Sequence, residues 1–368
     1  MIFAVVGTRP EVIKMAPVIL ALRRRGLEVA LVATGQHHDW LMMGAFLERF
    51  GLSIDYPQGH RLELGRRDLL GSFVEITAGL GTLIERHRPE LVLAAGDTTT
   101  VVAAAFATRK GGSAFGHVES GLRAFCRQLP EEEHRICADA MADLAFAPTR
   151  IALANLERER VNGRVLLTGN PILDALRWQQ PVTVPKERRA GILVTVHRQE
   201  TVDDPVRLGK VLAALRALGQ QESVLWPVHP RTRAKAREHG LDFPASVRAV
   251  EPLGHGEFLE SLARARLVVT DSGGVQEEAA ILGTPCVTVR RNTERPETIE
   301  AGVGLLAGIE TAGILSAVRQ ILRDWEHFAR PAPELYGDGR AGEHIAAACA
   351  EFLGERVDAG TLSRAAGK

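Results

Sequence analysis

The sequence has few cysteines, no net charge and no long apolar run. Its four cysteines, Cys126, Cys137, Cys286 and Cys349, lie far apart and form no CxxC pair, so neither a zinc site nor a disulfide framework is predicted. The 45 Lys and Arg residues balance 45 Asp and Glu residues, whereas proteins that bind nucleic acid or anionic membranes are normally basic. No apolar stretch is long enough for a membrane span or a signal peptide. We therefore expect a cytoplasmic protein with reduced thiols that acts on small molecules, with no nucleic-acid or membrane partner.

The fingerprints of three common cofactor and metal sites are also missing. Gly79 and Gly81 have no third glycine at the spacing of a dinucleotide-binding turn, and they lie in a helical pattern. The GxxxxGK[ST] loop of P-loop NTPases does not occur. His37 and His38 are adjacent, and adjacent side chains rarely converge on one ion. The sequence therefore predicts no nicotinamide site, no P-loop and no metal site.

Short apolar runs alternate with amphipathic stretches along nearly the whole chain. This alternation predicts an α/β fold with parallel sheets and helices on both faces. The 368 residues exceed the size of most single-core domains, and about a dozen strands are too many for one ordinary sheet, so we expect two domains. The predicted boundary is 171–190, where three prolines and a charged run interrupt the pattern. The strand candidates are 2–6, 28–33, 90–95, 114–118, 143–147, 164–168, 191–196, 223–228, 246–250, 266–270, 285–289 and 303–306, and the helical patterns include 10–25, 98–110, 131–143, 203–219, 274–282 and 312–328.

Polar or ionisable residues directly follow many of these strands. Ligands of open α/β sheets bind outside the carboxyl ends of the strands. One polar residue after a strand is ordinary loop chemistry, but its repetition in both halves indicates a site built from two sheets that face each other across a cleft. The residues concerned are Arg9, Gln36, His37, Asp97 and Glu119 in the first half, and His197, His229, Asp271 and Ser272 in the second.

Two turns that contain glycine are suited to binding anions. Residues 271–274 read DSGG between an apolar strand and a helical pattern, so free amides and the helix dipole favour a phosphate there. Glu278 lies one turn into that helix, within reach of ribose hydroxyls. Residues 7–14 read GTRPEVIK, and Arg9 and Lys14 bring positive charge to the matching turn of the first half. The alternative interpretation is a pair of capped helices that bind no ligand.

Three carboxylates, Asp97, Glu119 and Glu131, are candidates for acid–base chemistry. Asp97 lies in GDTTT (96–100), where capping the next helix is the alternative role. Glu131 lies in a first helical turn, where complementing the helix dipole is the alternative. Near a phosphate site, neighbouring charges can shift the pKa values of such groups, as general acids and bases require.

Seven motifs in the chain are long and specific enough to compare with known families. They read GTRPEVIKMAP (7–17), TGQH (34–37), GDTTT (96–100), GHVESGLR (116–123), TDSGGVQEE (270–278), NTERPE (292–297) and YGDG (336–339). In their order and content they resemble the signatures of the non-hydrolysing UDP-N-acetylglucosamine 2-epimerases. The resemblance covers nearly the whole chain.

The resemblance implies a GT-B architecture, with two Rossmann-like domains whose parallel sheets face each other across a cleft. The implied domains are 1–170 with the acid–base residues, 171–340 with the UDP site, and 341–368 with a helix (about 341–354) that crosses back to the first domain. A UDP-sugar substrate and a homodimer are implied as partners. The implied catalytic residues are Lys14, Asp97, Glu119, Glu131 and His197, and the implied substrate-binding residues are Arg9, His37, Arg123, Ser272, Gly273, Gly274, Glu278 and Arg295.

The resemblance also implies the reaction, reversible epimerisation of UDP-N-acetylglucosamine to UDP-N-acetylmannosamine at C2. UDP would be eliminated to give a 2-acetamidoglucal and then added back with a proton on the other face, so no cofactor is expected. Two alternatives stay open, a hydrolysing epimerase that releases N-acetylmannosamine and UDP, and an epimerase of a modified UDP-N-acetylhexosamine. HRQET (197–201) motivates the second, because the family more often has two arginines there. A GT-B glycosyltransferase needs fewer carboxylates, and a non-catalytic sugar-nucleotide-binding protein is expected to have lost them.

Overall fold

Buried apolar runs form the strands of two parallel sheets. The structure, a computed structural model, describes residues 1–35, 47–48, 50–57 and 69–366. Contacts divide the chain into a first unit, Met1–Ala175 with Tyr336–Lys368, and a second unit, Leu176–Leu335. The sequence analysis placed the junctions at 170/171 and 340/341, so a few residues at each junction fall in the first unit instead.

The first unit contains one parallel sheet. Its strands are β1 (Ile2–Val6), β2 (Val29–Ala33), β3 (Tyr56–Pro57), β4 (Leu91–Ala95), β5 (Ala114–Val118), β6 (Leu144–Ala147) and β7 (Arg164–Leu167). They pair in the order β3-β2-β1-β4-β5-β6-β7. The central strands are buried along their full length, as expected for a sheet covered on both faces. After β3 the chain crosses back and adds β4 on the other side of β1, so the strand order reverses between β1 and β4. The loops that follow these two strands are therefore neighbours.

The second unit contains a parallel sheet of the same kind. Its strands are β8 (Ile192–Thr195), β9 (Val224–Pro227), β10 (Arg248–Val250), β11 (Leu267–Thr270), β12 (Cys286–Thr288) and β13 (Gly304–Leu306). They pair in the order β10-β9-β8-β11-β12-β13. Here the reversal falls between β8 and β11, and the loops after these two strands are neighbours.

Helices connect the parallel strands, as crossover connections require. They are α1 (Arg9–Arg24), α2 (Leu69–His87), α3 (Thr99–Gly111), α4 (Pro130–Met141), α5 (Arg150–Glu159), α6 (Pro171–Gln179), α7 (Gln199–Val202), α8 (Pro205–Leu218), α9 (Pro230–Glu238), α10 (His255–Arg264), α11 (Gly273–Leu282), α12 (Pro296–Glu300), α13 (Thr311–Arg323), α14 (Trp325–Phe328) and α15 (Ala341–Ala366). In the first unit α15 packs against α1. A Cβ atom on Gly342 would lie 2.7 Å from the Pro17 carbonyl oxygen, so this close approach needs glycine. Across the described ranges, no helix has the length and apolar character to cross a membrane.

The predicted α/β class with two parallel sheets is confirmed, and each predicted strand is present with ends within two residues. The prediction of one helix over 312–328 was wrong, because Asp324 has φ −106° and ψ 33° and separates α13 from α14. The short edge strand β3 was not predicted, since two residues carry no periodicity and one of them is proline. The last helix continues to Ala366 instead of ending near 354.

Candidate functional site

Most candidate residues lie on or beside the loops where the strand order reverses. In the first unit these loops follow β1 and β4, and in the second unit they follow β8 and β11. Ligands of open α/β sheets bind at such points, because the two loops lead to helices on opposite faces of the sheet and leave a crevice between them. Each unit therefore has one predicted binding position, at the carboxyl ends of its central strands.

A buried ion pair joins α1 to the loop after β5. Lys14 Nζ lies 2.5 Å from Glu119 Oε2, and the two side chains are 9% and 1% exposed. Glu119 has φ 68°, a left-handed conformation that is uncommon outside glycine and that costs about 1–3 kcal/mol. A Cβ atom on Gly96 would lie 3.6 Å from Glu119 Oε2, so this carboxylate lies against the loop that continues to Asp97. The structure thus brings Lys14, Glu119 and the Asp97 loop together.

Two adjacent side chains of α4 hold Asp97 in place. Arg135 Nη1 donates to Asp97 Oδ2, and His134 Nδ1 lies 2.9 Å from the Asp97 carbonyl oxygen. A carbonyl oxygen only accepts, so His134 carries a proton on Nδ1. The side chain of Arg135 is 1% exposed, whereas that of Asp97 is 28% exposed. The carboxylate is therefore anchored on its buried side and accessible on the other.

Three consecutive glutamates begin α4 and take different positions. Glu132 is buried, and its carboxylate accepts from the N–H groups of Ala124 and Phe125 at 2.9 and 2.8 Å. Glu133 is exposed and Glu131 is half-buried. Glu132 therefore holds the preceding loop, and Glu131 stays the acid–base candidate of this turn.

Glu11 connects the two loops at the reversal in the first unit. Its Oε2 accepts from the N–H groups of Gly7 and Thr8 at 2.5 and 3.0 Å, and its Oε1 accepts from the Thr98 hydroxyl at 2.5 Å. Burial raises the pKa of Glu11 to about 7, although these hydrogen bonds oppose the shift. The two amides that directly precede α1 are thus bound by an internal carboxylate.

Glu11→Gln is expected to weaken the pH dependence of stability. The pKa of Glu11 rises from 4.5 to about 7 on folding, so its stabilising contribution is complete below 4.5 and is lost as the pH rises through about 7. The loss amounts to about 3 kcal/mol. Calorimetric melting at about pH 5 and about pH 8 should therefore show a smaller decrease of Tm in the variant. Glu85→Gln, which alters an exposed glutamate of α2, is the control, and equal decreases in all three proteins would contradict the raised pKa.

A buried network centred on Asp139 of α4 lies next to both carboxylate loops. The Asp139 carboxylate accepts from four groups, which are His117 Nδ1 at 2.5 Å, the Gly121 N–H at 3.0 Å, Arg123 Nη2 at 2.7 Å and the Ser120 hydroxyl. His117 Nε2 lies 2.8 Å from the Gly96 carbonyl oxygen, so both nitrogens of this ring face acceptors. Gly96 precedes Asp97, and Ser120 follows Glu119. One aspartate therefore holds both loops.

The charges of this network stabilise one another. Burial lowers the pKa of His117, but the charge of Asp139 and hydrogen bonds to Asp139 and Gly96 outweigh burial and raise the pKa. Burial raises the pKa of Asp139, but the charges and hydrogen bonds of its partners bring the pKa below its ordinary value. Arg123 also donates to both oxygens of Glu159 at 2.9 and 2.6 Å. Its guanidinium is engaged inside the first unit, and the substrate-binding role of Arg123 stays a prediction.

Asp271 connects the corresponding loops of the second unit. Its carboxylate accepts from the N–H group of His197 at 3.0 and 3.1 Å and from that of Arg198 at 2.9 Å. The His197 side chain is 34% exposed, and its ring centroid lies 5.3 Å from that of His229. The hydrogen bonds thus hold the backbone of the loop and leave the His197 imidazole accessible.

Among the described residues, no side chain caps the N-terminus of α11. The N-cap residue Ser272 donates its own N–H to the Thr270 hydroxyl at 3.0 Å, but its side chain bonds no amide of the first turn, which has no acidic residue. A Cβ atom on Gly273 would lie 2.7 Å from Glu294 Oε1 and 3.6 Å from Arg295 Nη2, whereas one on Gly274 meets no described atom within 4 Å. Gly273 therefore lets the Glu294 carboxylate and the Arg295 guanidinium approach the helix end, and Gly274 leaves its amide accessible.

A second buried network fixes Arg295. Arg295 Nε lies 2.5 Å from Glu277 Oε1, while Glu294 pairs with Arg290 at 2.7 Å and with Arg198 at 3.2 Å. The sequence analysis did not select Glu277, Arg290 or Glu294. Their presence within or next to the motifs at 270–278 and 292–297 was the available signal. These residues hold Arg295 beside the start of α11.

Glu278 lies one turn into α11 and is buried. Its Oε1 lies 2.8 Å from Nε2 of His255, the first residue of α10. The sequence analysis selected Glu278 but missed His255, because a single histidine near a helix start belongs to no recognisable pattern. His255 is therefore a hydrogen-bond partner of the Glu278 carboxylate.

Two candidates remain to be placed. Arg9 is the first residue of α1 and is half-buried, and none of the described residues forms a hydrogen bond or ion pair with its side chain. His37 lies outside the described residues. Among the described residues there is also no group of three or more His, Cys, Asp or Glu side chains that could hold a metal ion.

The two units therefore offer different chemistry. The first unit has a buried carboxylate–ammonium pair against the loop that carries a second, accessible carboxylate, and carboxylates can accept and donate protons. The second unit has an uncapped helix end next to an arginine, an arrangement that binds a phosphate or diphosphate.

Comparison with known proteins identifies the family. A family model described as UDP-N-acetylglucosamine 2-epimerase matches residues 20–350. A protein of that name from Methanococcus maripaludis is 35% identical over 363 residues, which cover 93% of this chain and 96% of the relative. A Pseudomonas aeruginosa protein named UDP-2,3-diacetamido-2,3-dideoxy-D-glucuronate 2-epimerase is 35% identical, with 94% of this chain and 98% of the relative covered.

A solved structure of similar fold supports the same assignment. The crystal structure of Methanocaldococcus jannaschii UDP-GlcNAc 2-epimerase in complex with UDP-GlcNAc and UDP superimposes with a TM-score of 0.84 at 31% identity, covering 95% of this chain and 99% of that one. The likeness confirms the predicted fold class, two parallel-sheet α/β domains of the GT-B type. By the extent of these matches, the chain belongs to the UDP-N-acetylglucosamine 2-epimerase family of enzymes.

Proposed function

We propose that the chain interconverts UDP-N-acetylglucosamine and UDP-N-acetylmannosamine by inversion at C2, without net hydrolysis. The observation that carries this proposal is the buried Lys14–Glu119 pair beside the Asp97 loop at the strand reversal of the first unit. Glu119 also has φ 68°, and strained backbone conformations of this kind cluster at active sites, so a chemical role explains why this carboxylate is held here at such a cost.

The proposed reaction begins with loss of UDP. The electron pair of the C1–O bond leaves with the diphosphate, a carboxylate takes the C2 proton, and a C1–C2 double bond gives 2-acetamidoglucal. In the second half, a proton is delivered to the opposite face of C2 and the diphosphate oxygen re-forms the bond to C1. The sequence is redox-neutral overall, so it requires no hydride acceptor.

The second unit has the groups that this reaction needs for UDP. The uncapped amides at Gly273 and Gly274, with Arg295 beside them, suit the diphosphate, both as bound substrate and as leaving group. Ser272 begins this turn, and His197 presents an accessible imidazole from the neighbouring loop. We assign the ribose hydroxyls to Glu278, one helical turn further on.

The first unit has the groups for proton transfer. We assign acid–base roles to Asp97, Glu119 and Glu131, the three carboxylates at or near the strand ends. Lys14 pairs with Glu119 and holds this carboxylate in place next to the Asp97 loop. Arg9, with no partner among the described residues, and His37 are assigned to substrate binding.

Solvent exchange tests the proposal directly. With UDP-N-acetylglucosamine in D2O, the enzyme is expected to incorporate deuterium at C2 while the total amount of UDP-sugar stays constant, as followed by NMR. Stoichiometric release of free UDP and N-acetylmannosamine would favour the hydrolysing alternative. If neither deuterium exchange nor UDP release is observed, both the non-hydrolysing and the hydrolysing epimerase hypotheses are contradicted.

A modified substrate is the second candidate. The Pseudomonas aeruginosa relative, named for a diacetamido-glucuronate substrate, is as similar to this chain as the Methanococcus maripaludis relative. The same exchange assay with UDP-2,3-diacetamido-2,3-dideoxy-D-glucuronate distinguishes this substrate from UDP-N-acetylglucosamine, since the preferred substrate should show the higher kcat/KM. The implied homodimer stays a prediction.

A further inference from the structure

His255 lies between two polar side chains of the second unit. Its Nε2 is 2.8 Å from Glu278 Oε1, and its Nδ1 is 3.1 Å from Oε1 of Gln179, the last residue of α6. The carboxylate oxygen accepts in this contact and the ring nitrogen Nε2 is the donor. Gln179 contacts the other nitrogen of the ring, so the imidazole cannot rotate without losing at least one contact.

This contact matters because little else orients Glu278. The side chains of His255 and Glu278 are 9% and 7% exposed. Within the part of the chain that the structure describes, His255 is the one hydrogen-bond partner of the Glu278 carboxylate. Rotation about the last side-chain bond of a glutamate is broad, so a single hydrogen bond decides where the second oxygen points. With Oε1 bound to His255, Oε2 is left for a hydroxyl of a ligand.

We propose that His255 is a positioning residue that orients Glu278 toward the ribose and thereby makes the site selective for ribonucleotides. The inference rests on the proposed function, in which the diphosphate binds at Gly273 and Gly274. Glu278 lies about 7 Å further along the helix axis, a separation that suits the ribose attached to that diphosphate. With its direction fixed, the free Oε2 accepts a hydrogen bond from the ribose 2′-hydroxyl, and a 2′-deoxyribose lacks this donor.

Isothermal titration calorimetry with UDP and 2′-deoxy-UDP tests this on the intact chain. The native protein is expected to prefer UDP on the order of 10- to 100-fold, as for one hydrogen bond to a charged group. His255→Ala should reduce this preference roughly fivefold or more, mainly by weakening UDP binding. His255→Gln should retain most of the preference, since its amide can still donate to Glu278. In steady-state assays, His255→Ala should raise KM with little change in kcat.

The control is His327→Ala, which removes an exposed histidine of α14 and should keep the native preference. An equal loss of affinity for both nucleotides in His255→Ala would show a purely structural role, and an unchanged preference would show no role. Either result overturns the inference. The inference is also overturned if the native protein exchanges the C2 proton but binds UDP and 2′-deoxy-UDP equally well. The proposed function stands in that case. A native protein that binds neither nucleotide and exchanges no proton overturns the proposed function as well.

Discussion

Asp97→Asn is expected to abolish deuterium exchange at C2 of UDP-N-acetylglucosamine while UDP binding stays nearly unchanged. The amide keeps the size of the side chain and an oxygen acceptor for Arg135, so the loop after β4 should keep its conformation. An amide cannot accept and return a proton at neutral pH, so the loss should reach that of a general acid–base group, on the order of 10²- to 10⁴-fold. UDP affinity should stay within about twofold, because we assign UDP to the second unit and Asp97 to the sugar.

The measurement combines NMR-detected exchange with calorimetric titration of UDP. Asp143→Asn is the matched control, since it makes the same chemical change at another partly exposed aspartate of the first unit. Near-native exchange in Asp97→Asn would remove Asp97 from the mechanism. A parallel loss of UDP affinity would instead identify Asp97 as a nucleotide ligand.

Local sequence patterns predicted the sheets well because each strand is a short buried apolar run. In a parallel sheet both faces are covered, so runs such as Ile2–Val6 and Leu91–Ala95 need no alternation with polar residues to be recognised. The candidate position of the site was inferred from the same strands, since Asp97 comes two residues after β4 and Asp271 directly after β11. What the pattern could not predict was local geometry such as the break at Asp324, where the apolar spacing continues but the backbone leaves the helix.

The residues that hold the candidate site were harder to identify than the residues that form it. Glu132, Arg135 and Asp139 face the interior of the first unit, but charged residues in a helix normally indicate a solvated face. Their spacing, with Ala138 also buried, follows the helical repeat of a core face, and that was the available signal. The pairing of Lys14 with Glu119 joins positions far apart in the chain, so no local pattern could reveal it.

Asp139→Ala is expected to destabilise the first unit more than any surface change. The substitution removes the acceptor of four hydrogen bonds and leaves His117 buried next to Arg123 without its counter-charge. Removing one partner of a buried ion pair costs about 3–5 kcal/mol of unfolding free energy. Glu133→Ala, which removes an exposed carboxylate of the same helix, should cost about 1 kcal/mol or less.

Urea unfolding followed by two probes separates the units. Trp178, Trp226 and Trp325, three of the four tryptophans, belong to the second unit, so fluorescence mainly reports that unit, whereas far-UV circular dichroism reports both. The Asp139→Ala variant should show an early dichroism phase, with the fluorescence transition and UDP affinity close to native. Stability within about 1 kcal/mol of native would contradict the assignment. In that case the Gly96 carbonyl would suffice to hold His117, and Glu159 would suffice to hold Arg123. The loops that carry Asp97 and Glu119 would then keep their positions without Asp139.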